Sequence, residues 1–292
     1  MATEALIEAE VSPGGKPWAM KELPAFPAVA LQLLSLLDNP EVPLKKIVDV
    51  LKVDPALAGE LLRVANSALY GLVQRIDTVN HAVVVLGTEN VKRLALTVSL
   101  GRYAQRFLRH EGLRICWHHS LACALLCEEL YSHVEFPGIT LTKDRAYTAG
   151  LLHDIGRLAM LVCYPVEYSN LLTVARQENF DQLECERQLF DIDHCAAGQW
   201  LAGHWNLPVE YSQAIAQHHQ PALPPGFPAL VRCACRLADL VGYSVLQAPS
   251  TETLAEILSE LPLKNAEQAT ADIETAGDRV RQALRALDPS KA

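Results

Sequence analysis

Residues 54–71 read DPALAGELLRVANSALYG. Asp54 can accept from the first free amides of a helix, and Pro55 suits the first helical position, where no N–H is needed. Leu57, Leu61, Leu62 and Ala65 recur at helical spacing and define a buried face, and Gly71 ends the segment. Upstream, Val29, Ala30, Leu33, Leu34 and Leu37 keep the same period until Asp38-Asn39-Pro40 stops it. Pro43 opens a second helix with Leu44, Ile47, Val48 and Leu51 on one stripe. Downstream, a short helix covers 78–86, Gly87-Thr88 breaks and recaps the chain, and a longer helix runs from Asn90 to Phe107. The single β-branched run, Val83 to Val85, is short and sits between helical patterns. Residues 21–107 are therefore read as one unit of short helices, and residues 1–20 as a flexible tail without period.

The helical pattern continues to the end of the chain. It predicts helices over 112–131, 145–162, 164–178, 193–204, 208–219, 227–245 and 265–286. Loops are expected around Pro137-Gly138 and over 220–228, QPALPPGFP. The alanine-rich and charged stretch 265–287 reads as a surface helix. The fold class is all-α, with a second subdomain over residues 108–290. Half of the 292 residues are apolar and 20% are charged, enough for a sizeable core. Lys and Arg number 25 against 34 Asp and Glu, a net charge of −9. That balance argues against a nucleic-acid binder, which must neutralise phosphates. No apolar run reaches the ~18–20 residues of a membrane span, and MATEALIEAEVSPGG lacks the layout of a signal peptide. The expected setting is the cytoplasm, with no membrane contact. The eight cysteines include no CxxC pair and read as small buried hydrophobes; Cys195, beside a histidine, is the one thiol near candidate chemistry.

Polar residues interrupt these apolar helices at a few places. His153 and Asp154 lie in AGLLHDIGRLAML (149–161), and His119 in WHHSLACALLCEEL (117–130). His194 follows Asp193 at a helix start, His218-His219 ends VEYSQAIAQHH (209–219), and Asp239 lies in RCACRLADLVGY (232–243). Buried polar groups need partners. Imidazoles with carboxylates suit one or two divalent transition ions, Fe, Mn, Zn or Ni. Two such ions bridged by hydroxide would polarise a phosphate and supply its nucleophile.

LLHDIGRLAML (151–161) resembles the HD signature of metal-dependent phosphohydrolases, and the order of the later His and Asp residues resembles the HD-GYP branch. LPAFPAVALQLLSLL (23–37), DPALAGELLRVANSALYG and VVVLG (83–87) resemble the HDOD domain, a bacterial signalling module related to HD-GYP. WHHSLACA (117–124), DHCAAGQWLAGHWNLP (193–208) and AIAQHHQP (214–221) resemble its second half, so the resemblance covers residues 21–245. It implies an N-terminal helical subdomain packed on an HD-type helical bundle. Carried over residue by residue, it implies that His119, rather than His118, is the first metal ligand. His153 and Asp154 match the signature pair, with Asp154 bridging. His194, His218 and His219 match the second-metal histidines, and Asp239 matches the closing aspartate of the first site. Arg157 stands where HD-GYP proteins have lysine, and QPALPPGFP replaces the GYP loop. Ile115 lies one turn before His119, where HD-GYP proteins place a further carboxylate.

Two functions follow from the resemblance. One is a signalling module that acts through contacts with a partner protein and retains an HD-type metal site. The other is a metal-dependent phosphohydrolase or phosphodiesterase that takes a nucleotide or phosphodiester, with Asp154 and Arg157 catalytic. In residues 21–107 the glycines (59, 71, 87 and 101) are isolated and form no phosphate loop, so this unit is expected to bind protein rather than nucleotide.

Overall fold

The computed structural model describes residues 27–37, 43–105, 111–136, 142–246 and 251–287. The expected 1–20 tail, the Asp38-Asn39-Pro40 stop, the Pro137-Gly138 loop and the end of the Asn90–Phe107 helix lie outside these residues. The first helices are α1 (Ala28–Leu37), α2 (Leu44–Lys52), α3 (Pro55–Ala65), α4 (Val79–Leu86) and α5 (Thr88–Gln105). Asp54 caps α3 as its sequence predicts, accepting from the amides of Ala56 at 3.0 Å and Leu57 at 2.9 Å. Its other oxygen takes Arg102 at 2.9 Å, which ties the start of α3 to α5. Asp54→Ala is expected to cost about 1 kcal/mol, read as a shift in the urea midpoint. α3 stops at Ala65, short of Gly71. Asn66 ends it by donating to the carbonyls of Leu62 and Ile76 and accepting from the Ile76 amide, each at 2.7 Å. Val64 is buried and Leu62 only partly so, which turns the apolar face slightly from the predicted one.

The second half contains α6 (Glu111–His133), α7 (Lys143–Leu152), α8 (Ile155–Cys163), α9 (Pro165–Glu178), α10 (Gln182–Phe190), α11 (His194–His204), α12 (Val209–Gln217) and α13 (Phe227–Ala238). A π-helical turn, Asp239–Tyr243, follows α13, and α14 (Leu254–Leu258) and α15 (Ala266–Leu287) complete the order. No strand occurs among the described residues, only an isolated bridge between Val134 and Leu263. The structure is all-α.

Helix α6 is buried on almost every side, from Cys116 and Trp117 through Leu121–Ala124 to Leu130, which marks it as the central helix. α7, α13 and α15 pack around it, while α5 joins the first five helices to α7. One continuous apolar core includes Leu33 and Leu96 as well as Trp117 and Leu151. α15 is the surface helix expected, with one face exposed and the other, Ala269, Ile273, Ala276, Val280 and Leu284, buried against α6.

Two close approaches set the frame of the site. A Cβ on Gly150 would lie 2.7 Å from the Cys123 carbonyl, so α7 touches the α6 backbone. A Cβ on Gly156 would lie 2.0 Å from the His194 carbonyl, so α8 and α11 cross in contact. No single described helix is long and apolar enough to cross a membrane. The bent run 143–178 passes on length and composition alone; much of it, including Leu151, Leu161 and Leu171, is core.

Candidate metal centre

The helix expected over 145–162 is two helices, α7 and α8, which meet at His153-Asp154. Asp154 has φ −100° and ψ 20°, the sparsely allowed bridge region, and its side chain does not cap α8. The carboxylate turns inward instead, and Arg157 Nε lies 2.9 Å from Oδ2. At this corner both His153 and Asp154 are wholly buried. Burial alone would raise the Asp154 pKa; Arg157 and then His153 hold it well below the usual carboxylate range.

Four imidazoles are oriented in the same way. Nδ1 of His119 lies 2.7 Å from the Tyr243 carbonyl, and Nδ1 of His153 lies 2.7 Å from that of Gly150. Nδ1 of His218 lies 2.9 Å from the Ile215 carbonyl, and Nδ1 of His194 lies 2.7 Å from Glu186 Oε2. Carbonyls and carboxylates only accept, so Nδ1 carries a proton, and in the neutral ring, the form that binds a metal, the lone pair lies on Nε2. Metal-ligating histidines are commonly held in this way, with the other ring N–H donated to a carbonyl or carboxylate that fixes the ring's orientation.

Two groups of four donors gather here, His119 with Cys123, His153 and Cys235, and His194 with Cys195, His218 and His219, and a smaller one joins His153, Asp154 and His218; within each group one ligand atom per residue lies within 4.8 Å of the others. Asp154 stands between the groups. Its Oδ1 is 3.4 Å from His194 Nε2 and 3.5 Å from His218 Nε2, and its Oδ2 is 3.7 Å from His153 Nε2. His153 Nε2 and both Asp154 oxygens are buried without a well-formed hydrogen bond. Buried polar atoms of this kind call for a partner, and these groups could hold a metal ion.

The structure thus brings together His119, His153, Asp154, His194, His218 and His219. His219 is the exposed member of its group, with its ring 4.3 Å from that of His218. Asp239 stands apart. Its Oδ1 lies 3.7 Å from Nδ1 of His119, the nitrogen that faces the Tyr243 carbonyl. Arg157 is 2% exposed and turned inward. Besides Asp154 it meets His194 Nε2 at 3.0 Å and His219 Nε2 at 3.5 Å through one terminal nitrogen.

Three residues of the site carry no role in the sequence reading. Glu186 on α10 is wholly buried and accepts from the His194 amide and from Nδ1 at 2.7 Å each. Tyr168 and Gln182 donate to its other oxygen. Burial opposes its charge, but His194 first, and Arg157 after it, bring its pKa down to about 2. Nothing in QLECERQLF separates this acid from its exposed neighbours. Glu186→Ala should leave several buried donors unsatisfied and cost about 3 kcal/mol, at 1–3 kcal/mol for each such group. Urea unfolding tests this; a loss under about 1 kcal/mol would mean the network relaxes around the gap. The other two residues are Cys123 and Cys235, read from the sequence as buried hydrophobes. They are buried, but beside histidines. The i,i+4 spacing of His119 and Cys123 is the one available signal, since it puts both on one helix face.

The HDOD domain pattern matches residues 23–221. This chain belongs to the HDOD domain family. It resembles the crystal structure of an HDOD domain protein of unknown function from Geobacter sulfurreducens, with TM-score 0.76 and 23% identity over 92% of this chain and 93% of that one. A candidate signal transduction protein from Marinobacter aquaeolei VT8 superposes with TM-score 0.72 and 24% identity, over 91% of this chain and 59% of that one. An uncharacterised protein of Treponema pallidum (strain Nichols) is 24% identical over 255 residues, 87% of this chain. The chain spans about half (49%) of that curated relative. At these identities the likeness carries the fold.

Proposed function

We propose that this chain is a bacterial cytoplasmic signal-transduction module that works through protein contacts and uses its HD-type site to hold an ion rather than to turn over a substrate. Residues 21–107 form the contact unit for a signalling protein, and residues 108–290 hold the site. The net charge of −9 favours a protein partner over nucleic acid.

The observation that carries the reading is the position of Arg157. Hydrolysis by a pair of ions requires that one of them activate a water. Here the guanidinium sits between Asp154 and the His194–His219 group, where it supplies positive charge but no coordination position. An ion on the His119–His153 side would stand alone: the terminal nitrogen of Arg157 lies 3.0 Å from His194 Nε2, the atom a second ion would need. The QPALPPGFP segment in place of the GYP loop supports the same reading.

The convergence of His194, His218 and His219 near Asp154 favours a second reading, a metal-dependent phosphohydrolase or phosphodiesterase. The deciding assay offers cyclic dinucleotides, nucleoside monophosphates and an aryl phosphodiester to the full chain with Mn, Fe or Ni. No metal-dependent turnover is expected. Turnover in the usual range of ~1–10³ per second, abolished by Asp154→Ala, would establish the second reading instead.

A further inference from the structure

We propose that Cys123, Cys235, His119 and His153 form a closed tetrahedral thiolate–imidazole site for a zinc ion, and that this, rather than an Asp-containing set, is where the chain holds its metal. The inference rests on the proposed reading only in that an ion is retained. The four donors come from three elements: His119 and Cys123 from one face of α6, His153 from the α7–α8 corner, and Cys235 from α13. All four ligand atoms lie within 4.8 Å of one another, and the two edges from His119 have the length a tetrahedral shell requires. Zn–S bonds of about 2.3 Å and Zn–N bonds of about 2.0–2.1 Å at tetrahedral angles give an S···N edge of about 3.6 Å. Here His119 Nε2 is 3.5 Å from Cys123 Sγ and 3.3 Å from Cys235 Sγ.

Charge decides between the two donor sets. The place is wholly buried, where uncompensated charge is costly. Two thiolates cancel the charge of a divalent ion. Asp154 offers a single negative charge, and Arg157 already compensates it. Zinc also accepts sulfur and nitrogen together, whereas Mn and Mg prefer oxygen. On binding, each thiol gives up its proton to solvent while the imidazoles keep theirs on Nδ1, so two protons leave and nothing is oxidised. Four protein donors then fill the shell and leave no position for water, the mark of a structural rather than a catalytic zinc. The π-helical turn has a place in this arrangement: with Gly242 at φ 94°, it delivers the Tyr243 carbonyl that orients His119.

The test uses the full chain, purified without chelators and loaded with Zn(II) or with Co(II) as a spectroscopic probe. X-ray absorption at the zinc edge should show sulfur neighbours at about 2.3 Å beside nitrogen at about 2.0–2.1 Å. The Co(II) form should show a thiolate-to-metal charge-transfer band. Cys235→Ser should weaken that band and lower zinc affinity at least about tenfold, while Cys163→Ser, at the far end of α8 and outside both donor groups, should leave both unchanged. A shell of nitrogen and oxygen alone, or sensitivity to Cys195→Ser instead, would overturn this inference and leave the retained-ion reading standing. Protein that takes up no metal would overturn both. The absorption measurement on the unaltered chain decides the matter even if Cys235→Ser does not fold.

Discussion

Gly156→Ala is expected to prevent stable folding or to cost at least about 3 kcal/mol, the upper end of ordinary overpacking penalties. The added methyl group would meet three backbone atoms: the His194 carbonyl at 2.0 Å, the Gly198 amide nitrogen at 2.5 Å and the Gly198 Cα at 2.9 Å. Backbone cannot rotate away as a side chain can, so α8 and α11 would have to separate. His194 opens α11, and its ring nitrogen is 3.4 Å from Asp154, so the same displacement would open the site. Urea unfolding and far-ultraviolet circular dichroism read the effect. A stability within about 0.5 kcal/mol of the parent, the scale of an ordinary surface change, would show that the two helices are not in contact.

Arg157→Met should be nearly as severe, for a different reason. It leaves the Asp154 carboxylate in the core without its counter-ion, and breaking a buried pair in this way costs about 3–5 kcal/mol. The loss should depend on metal. With the guanidinium gone, the His194–His219 group and Asp154 become open to a second ion, and an ion held by the folded state alone at 100 times its Kd returns about 2.7 kcal/mol. Melting curves with chelator and with added Mn(II) or Zn(II) should therefore differ more for Arg157→Met than for the parent. Metal content should rise from one equivalent to two. A variant as stable as the parent in chelator, or one that gains nothing from metal, would refute the role given to Arg157.

The helices were readable where capping and periodicity agree. Asp54-Pro55 starts α3 as its chemistry dictates, and Ile47, Val48 and Leu51 form the buried stripe of α2. The break at His153-Asp154 was not readable, because an unbroken apolar run is equally the mark of one buried helix or of two that meet in the core. α15 was legible as a surface helix, but not the partner of its apolar face, because alanine and scattered charge do not single out α6. The histidines and Asp154 stood out as polar residues in apolar surroundings, and the family pattern ordered them. Glu186 could not stand out, because its burial depends on Tyr168 and His194, which lie on other helices. The thiols of Cys123 and Cys235 were legible as buried; Cys123 has His119 one turn away, but Cys235 meets His119 from over a hundred residues along the chain, a relation that exists only once α6 and α13 pack. Arg157 is read from the sequence as catalytic in the phosphohydrolase reading. The fold turns it onto Asp154, and the proposed retained-ion reading rests on that difference.

An anomalous difference map from crystals of the metal-loaded chain tests this directly. The account predicts one peak, enclosed by His119, Cys123, His153 and Cys235, with Arg157 still paired to Asp154. Two peaks bridged by the Asp154 carboxylate, with the Arg157 side chain displaced from His194, would contradict it.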